Sequence, residues 1–142
     1  MITDEFLINR KIQRLGSRLV NKRTEDLKFF DLTPEQSDTL QFFAANPGAK
    51  LIDLKNHFDV SHQAARSMVE RMKKKDLLYV EISAEDARAK EVYLTAKGRK
   101  TCEELQAMGC GVGDSLLTGI DKEERQWLLT ALDKMIENVE NF

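Results

Sequence analysis

The chain has 142 residues, of which 42% are hydrophobic and 32% charged, a balance typical of one globular domain with a modest core. No apolar run is long enough for a membrane span, and the acidic start, MITDEF, lacks the basic and apolar regions of a secretory signal. We therefore expect a cytoplasmic protein with reduced cysteines. Cys102 and Cys110, eight residues apart, would lie roughly 12 Å apart on one helix, too far for a disulfide.

The charges are unevenly distributed, although the net charge is only −2. Residues 1–60 carry nine basic and nine acidic side chains, residues 61–100 carry ten and six, and residues 101–142 carry three and nine. The central segment is therefore the basic part of the chain. We expect this segment to meet a polyanion, while the acidic end of the chain has another role.

Residues 4–26 are predicted to form the first helix, because apolar residues recur there at helical spacing. These residues are Ile8, Ile12, Leu15 and Leu19. A second helix is predicted to begin at Pro34, with Thr33 as its cap and Gln36 completing a capping box. This helix should end near Ala45, before the breaker sequence Asn46-Pro47-Gly48.

A third helix over residues 51–58 and a fourth from the Ser61 cap to Lys75 are separated by a short turn, the arrangement of a helix-turn-helix. The segments LLYVEIS (77–83) and EVYLT (91–95) are rich in β-formers and flank a charged stretch, so they predict an antiparallel hairpin. A helix-turn-helix followed by a hairpin is the order of elements in a winged helix.

Two further helices are predicted after the hairpin. Thr95 caps the fifth, and Asp121 with Glu124 forms a capping box for the last. The last helix carries an apolar stripe of Leu128, Leu132, Met135, Ile136 and Val139. The first, fifth and last helices thus present apolar faces that a module of this size cannot cover alone, which favours a two-fold dimer.

Gly109, Gly111 and Gly113 interrupt the predicted fifth helix, at roughly 1 kcal/mol each relative to alanine. The pattern indicates either a break or kink in the helix, which we favour, or a second helix that approaches too closely for side chains. A hinge or a ligand cavity at this point is a further interpretation that the sequence leaves open.

The fourth helix is predicted to pack through one face and to expose the other. The packed residues are Ala65, Met68, Val69 and Met72, and the exposed ones are His62, Gln63, Arg66, Ser67, Glu70, Lys73 and Lys74. Arg pairs well with guanine and Gln with adenine, because each forms two parallel hydrogen bonds in a major groove. Ser61 begins this face, and the run Lys73-Lys74-Lys75 at its end suits backbone phosphates. A merely solvated helix surface is the alternative.

The hairpin tip, EDARAKE, places Arg88 and Lys90 beside this face. Arg88 is expected to enter the neighbouring minor groove, where the negative potential is strong, and Lys90 to hold a phosphate. Asp86 is acidic and is not expected to contact DNA, but it could orient a cation through a charge-assisted pair. A solvated turn with incidental charges is the alternative.

The segments LTPEQ, LKNHFDVSHQAARSMVERMKKKDLL and DARAKEVYLTAKGR resemble the MarR family of bacterial transcription regulators. The resemblance implies a winged-helix homodimer on a palindromic operator, with dimerisation through the terminal helices. It also implies a small ligand or oxidant that is sensed near the domain junction. Asp59 and Asp76 depart from the family pattern, which usually has Gly there, and both positions are expected to need left-handed backbone.

We therefore predict a mainly α protein with a small antiparallel hairpin. A winged helix-turn-helix spans residues 30–100, and residues 1–29 and 101–142 form a helical dimerisation region. The predicted function is a sequence-specific, double-stranded DNA-binding regulator that acts as a repressor. The alternative is a winged-helix module that binds proteins and has lost DNA binding.

Other classes of function have little support in the sequence. There is no nucleophile–base pair, phosphate-binding glycine loop or metal-ligand spacing around His57 and His62, so we expect neither an enzyme nor a cofactor or metal. Neither cysteine has basic neighbours that would lower the pKa of its thiol, which argues against redox sensing. A small amphipathic effector is compatible with the family resemblance, but no residue specifies its chemistry.

Overall fold

The computed structural model describes all 142 residues and has four helices, a two-stranded hairpin and two further helices. The helices before the hairpin are α1 (Asp4–Phe29), α2 (Pro34–Ala45), α3 (Leu51–Phe58) and α4 (His62–Lys74). The strands are β1 (Leu78–Ile82) and β2 (Lys90–Leu94), and α5 (Ala96–Leu116) and α6 (Lys122–Glu140) follow. The predicted fold class, mainly α with one antiparallel hairpin, is confirmed.

Capping side chains determine where several of these helices begin, because the first N–H groups of a helix have no partner within it. The Thr33 hydroxyl accepts from Gln36 N at 3.2 Å, and Thr33 N donates to Gln36 Oε1 at 3.2 Å. These two bonds form the predicted capping box of α2. Gly98 N donates to Thr95 Oγ1 at 3.0 Å, which confirms the predicted cap of α5.

Three aspartates adopt left-handed backbone where the chain changes direction. The φ angles are 55° at Asp31, 52° at Asp59 and 58° at Asp76. Asp tolerates this conformation better than most residues, because its short polar side chain can bond to the local backbone. The left-handed backbone predicted for Asp59 and Asp76 is confirmed, whereas that of Asp31 was not predicted.

The hairpin is antiparallel, with Leu78 opposite Leu94 and Ile82 opposite Lys90. Its second strand also pairs with the segment before α3. Gly48 N donates to Val92 O at 3.1 Å, and Val92 N donates to Ala49 O at 2.9 Å. These two bonds tie the base of the hairpin to the start of α3.

A single buried cluster holds α2, α3, α4 and the hairpin together. Its most deeply buried side chains include Leu40, Phe43, Leu54, Met72 and Val92. Burial of large apolar side chains is the main favourable term in folding, at roughly 1.5–3 kcal/mol each. The cluster fixes which face of α4 packs inward and therefore which face is exposed.

The chain forms two compact units, Met1–Gln106 and Ala107–Phe142. Every buried hydrophobic residue lies between Leu27 and Cys102, within the first unit. The second unit consists of the end of α5 and all of α6, and none of its residues is buried. None of the helices has an apolar stretch long enough to span a bilayer.

The helix break predicted at the glycine cluster is wrong, because α5 remains helical from Ala96 to Leu116, whereas the kink stays a prediction. The alternative, a closely packed helix, is not seen either. A Cβ atom added to Gly109, Gly111 or Gly113 would have no neighbouring atom within 4 Å. A cost of about 1 kcal/mol per glycine is too small to interrupt a helix that the good helix formers of residues 103–108 lead into.

Candidate nucleic-acid interface

The two faces of α4 lie as the sequence predicts. Ala65, Met68, Val69 and Met72 are buried in the core. The side chains predicted to face outward are exposed, apart from Lys73, which is half-buried. They are His62, Gln63, Arg66, Ser67, Glu70 and Lys74. Ser61 is exposed at the start of the helix, and its hydroxyl accepts from Ala64 N at 3.1 Å, so its oxygen already has a role as a cap.

A groove of about 340 Å³ runs between the start of α3, the outer face of α4 and the hairpin. We call it the α4–hairpin groove, and it is lined by Lys50, Leu51, Ile52, His62, Arg66, Val69, Glu70, Lys73, Val80, Arg88, Ala89 and Lys90. Five of the predicted site residues therefore come together there: His62, Arg66, Lys73, Arg88 and Lys90. The other predicted residues, Ser61, Gln63, Ser67 and Lys74, do not line the groove.

The α4–hairpin groove is strongly cationic. It is lined by five lysine and arginine side chains and by one carboxylate, Glu70. Lys73 Nζ lies 3.2 Å from Glu70 Oε1, and this is the only ion pair that any of the five cations makes. Four cations are therefore free to interact with an anion. Like charges brought together in a concave surface concentrate the positive potential.

The hairpin tip is shaped by hydrogen bonds to its backbone. Asp86 Oδ1 accepts from the backbone N of Arg88 at 2.9 Å. The buried Ser83 hydroxyl accepts from Glu85 N at 3.3 Å, and Ser83 N donates to Ala89 O at 2.9 Å. The expectation that Asp86 orients a cation thus needs a correction. Its carboxylate holds the backbone of the turn in place, and the Arg88 guanidinium makes no ion pair.

Lys75 does not share the role expected for the lysine run. Its ammonium donates to Asp31 O and, at 3.0 Å, to Gln36 Oε1, while Lys97 Nζ donates to Lys75 O at 3.0 Å. These bonds join the end of α4 to the turn before α2 and to α5. Lys75 therefore supports the position of α4, which leaves Lys73 and Lys74 as the cations at this end of the helix.

Lys50 is a groove residue that the sequence analysis missed. It precedes α3, its backbone N donates to Asp53 Oδ2 at 2.8 Å, and its ammonium makes no ion pair. Its position just before a helix was the available signal. The N-terminus of a helix attracts anions, and a lysine beside it adds a second positive group. What brings Lys50 to the groove is the pairing of Gly48 and Ala49 with Val92, which the local sequence does not encode.

A second cavity, of about 320 Å³, lies between α2, the other side of the hairpin and the first half of α5. Its lining includes Phe43, Tyr79, Tyr93, Arg99 and Cys102. The rings of Tyr79 and Tyr93 stack with their centroids 5.7 Å apart. Burial raises the pKa of the Cys102 thiol. The cavity offers an apolar and aromatic surface with one guanidinium, of Arg99, and one carboxylate, of Glu103, in its lining.

Both cysteines are free, as predicted, with Cys102 buried and Cys110 exposed. No group of three or more His, Cys, Asp or Glu side chains is arranged to hold a metal ion. His57 instead packs on the Phe42 ring at a centroid distance of 4.8 Å.

Known proteins resemble the chain both in sequence and in structure. Residues 30–89 match the model of the MarR family. The transcriptional regulator HosA of Escherichia coli O127:H6 is 27% identical over 106 residues, which are 75% of this chain and 78% of HosA. The segment matched by the family model contains α2, α3, α4 and the hairpin tip.

Two similar solved structures are DNA complexes. Streptococcus pneumoniae FabT in complex with DNA has a TM-score of 0.86 at 16% identity, over 97% of this chain and 99% of FabT. The Staphylococcus aureus MepR–DNA complex has a TM-score of 0.72 at 22% identity, over 96% of each chain. At such identities the structural likeness concerns the fold.

Proposed function

We propose that this chain is a member of the MarR family and that it is a sequence-specific, double-stranded DNA-binding transcriptional regulator that acts as a homodimer. The observation that carries the proposal is the α4–hairpin groove, which gathers five cations from the residue before α3, from α4 and from the hairpin. The fold is also that of proteins solved in complex with DNA. Phosphate contacts of this kind supply most of the non-specific affinity for a duplex.

In the proposed complex, α4 lies in the major groove with its first turns towards the base edges. Arg66 is suited to guanine and Gln63 to adenine. Arg88 at the hairpin tip enters the adjacent minor groove, where negative potential attracts arginine. The remaining cations position the protein on phosphates, and they are Lys50, Lys73, Lys74 and Lys90. His62 and Ser67 complete the surface that faces the bases, and Ser61 orients it as the cap.

The homodimer is proposed because α1 and α6 expose large apolar side chains. In α1, Ile8 is 51% exposed, and in α6, Trp127 is 71% and Ile136 56% exposed. We assign residues 1–29 and 101–142 to the dimerisation region and residues 30–100 to the DNA-binding module. A two-fold pair would place its recognition helices about 34 Å apart, one turn of DNA, and would select a palindromic operator.

A small amphipathic effector is proposed to bind in the second cavity. The hairpin separates this cavity from the α4–hairpin groove: Tyr79 lines the cavity, whereas its neighbour Val80 lines the groove. A molecule that moved the hairpin would therefore alter the groove as well. Occupation of a promoter by the dimer would repress transcription, and release by the effector would restore it. Such a regulator acts in the bacterial cytoplasm, where the chromosome lies.

Selection of bound duplexes from a random library in vitro tests the proposal. We expect recovery of a palindrome whose half-sites are about 10 base pairs apart, centre to centre. The double variant Arg66→Ala/Arg88→Ala should recover no palindrome. The matched control, Arg71→Ala/Lys100→Ala, removes two exposed cations outside the groove and should recover the wild-type sequence.

Failure of the wild-type protein to enrich any duplex would contradict the proposal. It would favour the alternative function, a winged helix that binds another protein. Enrichment by the double variant equal to that of the wild type would show that DNA binds elsewhere on the molecule.

A further inference from the structure

We infer that Glu70 is a specificity-determining residue, which lowers the affinity of the α4–hairpin groove for DNA of unrelated sequence. The inference rests on the proposed function and concerns a residue with no assigned role in it. Glu70 lies on α4 one turn after Arg66 and is the only acid that lines the groove. A carboxylate at this place repels the phosphates that the surrounding cations attract.

Glu70 also controls one of those cations. Its Oε1 lies 3.2 Å from Lys73 Nζ, with 53% of the Glu70 side chain and 35% of the Lys73 side chain exposed. To contact a phosphate, Lys73 must either leave Glu70 or bring the Glu70 carboxylate close to that phosphate. Either event weakens the attraction between the groove and the DNA backbone.

This cost differs between matched and unmatched DNA. Binding to unrelated sequence depends almost entirely on phosphate electrostatics, so nothing offsets the presence of a carboxylate. When α4 is seated in the major groove, the amino groups of cytosine and adenine are donors that a carboxylate can accept. The penalty is therefore offset only where such a base lies opposite Glu70. A negative charge in a cationic groove thus increases discrimination.

The other ion pairs of the chain do not have this position. Lys22–Asp26, Arg23–Asp38 and Lys75–Asp31 all lie outside the α4–hairpin groove. A purely structural role for the Glu70–Lys73 pair would make a different prediction. Its loss would then change the melting temperature and leave the ratio of the two DNA affinities unaltered.

The variant Glu70→Gln tests the inference, because it removes the charge and keeps the shape. Its affinity for the selected operator and for a random duplex of equal length is measured by fluorescence anisotropy at several salt concentrations. We expect affinity for random duplex to rise about threefold, the effect of an exposed ion pair. The slope of log K against log salt on that duplex should steepen by up to about 0.9, since Lys73 is released. Operator affinity should change less.

The matched control is Glu35→Gln, which removes an exposed acid outside the groove and should keep the wild-type affinity ratio. Equal increases on both duplexes, or no change on either, would overturn the inference. A change of melting temperature with an unaltered affinity ratio would do the same. Failure of the proposed function would be visible separately, because the wild-type protein would then not distinguish operator from random duplex. The inference would fall with it.

Discussion

Arg66 and Arg88 reach the same groove from different elements, and this difference in origin gives them different tasks. Arg66 projects from α4, whose opposite face is buried in the core, so the position of its backbone is fixed. Arg88 projects from a turn whose backbone is held by Asp86 and Ser83, whereas its guanidinium is free. An arginine on a helix suits the reading of one base in the major groove, while an arginine on a hairpin tip suits the minor groove and its phosphates.

We expect Arg66→Ala to relax base preference at one position in each half-site. A bidentate arginine–guanine contact contributes about 1–3 kcal/mol of discrimination, and its loss should make the other bases acceptable there. Repeating the in vitro selection with the variant measures this effect. Arg71→Ala on the same helix is the control and should return the wild-type motif. An unchanged motif from Arg66→Ala would remove Arg66 from the base-reading face.

The thiol of Cys102 is expected to react slowly. Burial raises its pKa, so less thiolate is present near neutral pH than for a free cysteine, and the rate should grow as the pH rises. The measurement is labelling with a thiol reagent in the Cys110→Ser variant, which retains only Cys102. We expect a rate at least about tenfold below that of the unfolded chain. Labelling at the unfolded rate at neutral pH would contradict this expectation.

At the scale of helices and strands, the sequence predicts those features that depend on residues close together in the chain. The caps Thr33 and Thr95 depend on a few neighbouring residues and were predicted from them, whereas the left-handed turns at Asp59 and Asp76 were expected from the family resemblance. The buried face of α4 follows from helical periodicity. The residues that α4 exposes could therefore be identified from the sequence alone.

Contacts between distant segments could not be predicted in this way. Lys75 does not line the groove because its ammonium donates to the carbonyl of Asp31, which lies 44 residues earlier in the chain. Lys50 enters the groove because the chain before α3 pairs with β2. The break predicted at the glycine cluster was wrong for the opposite reason. A helix continues through glycines when its flanks are stable, and a local cost says little about the whole element.

Two glycines of α5 give a direct comparison. Gly111→Ala should stabilise the protein by about 1 kcal/mol, because the helix is continuous and the added Cβ meets open space. Gly98→Ala should destabilise it by about 2 kcal/mol or more, because its Cβ would clash with the backbone oxygen of Leu77. Thermal and urea unfolding measure both effects. A clear loss of stability in Gly111→Ala would instead indicate a helix of a partner packed on this face.

For the molecule as a whole, burial is confined to part of the chain. All buried apolar side chains lie between Leu27 and Cys102, while most of α1 and all of α6 remain without a core. Exposed apolar patches of this kind are characteristic of protein interfaces. The proposed dimer would bury them and would also double the surface that grips DNA.

We expect light scattering at micromolar concentration to give twice the chain mass of 16.3 kDa. Ile136→Glu places a charge on the apolar stripe of α6 and should shift the protein towards monomer. Ile82→Glu, at an exposed apolar residue of the hairpin, is the control and should remain dimeric. A monomeric wild-type protein would contradict the proposed assembly.

The salt dependence of operator binding tests most directly whether the α4–hairpin groove holds DNA. We expect a steep decline of affinity with salt for the wild type. In Arg88→Ala the slope of log K against log salt should be smaller by up to about 0.9, the value for one cation that no longer neutralises the duplex. Lys100→Ala, which removes an exposed cation outside the groove, should keep the wild-type slope. Equal affinities and equal slopes for wild type and Arg88→Ala would contradict the account.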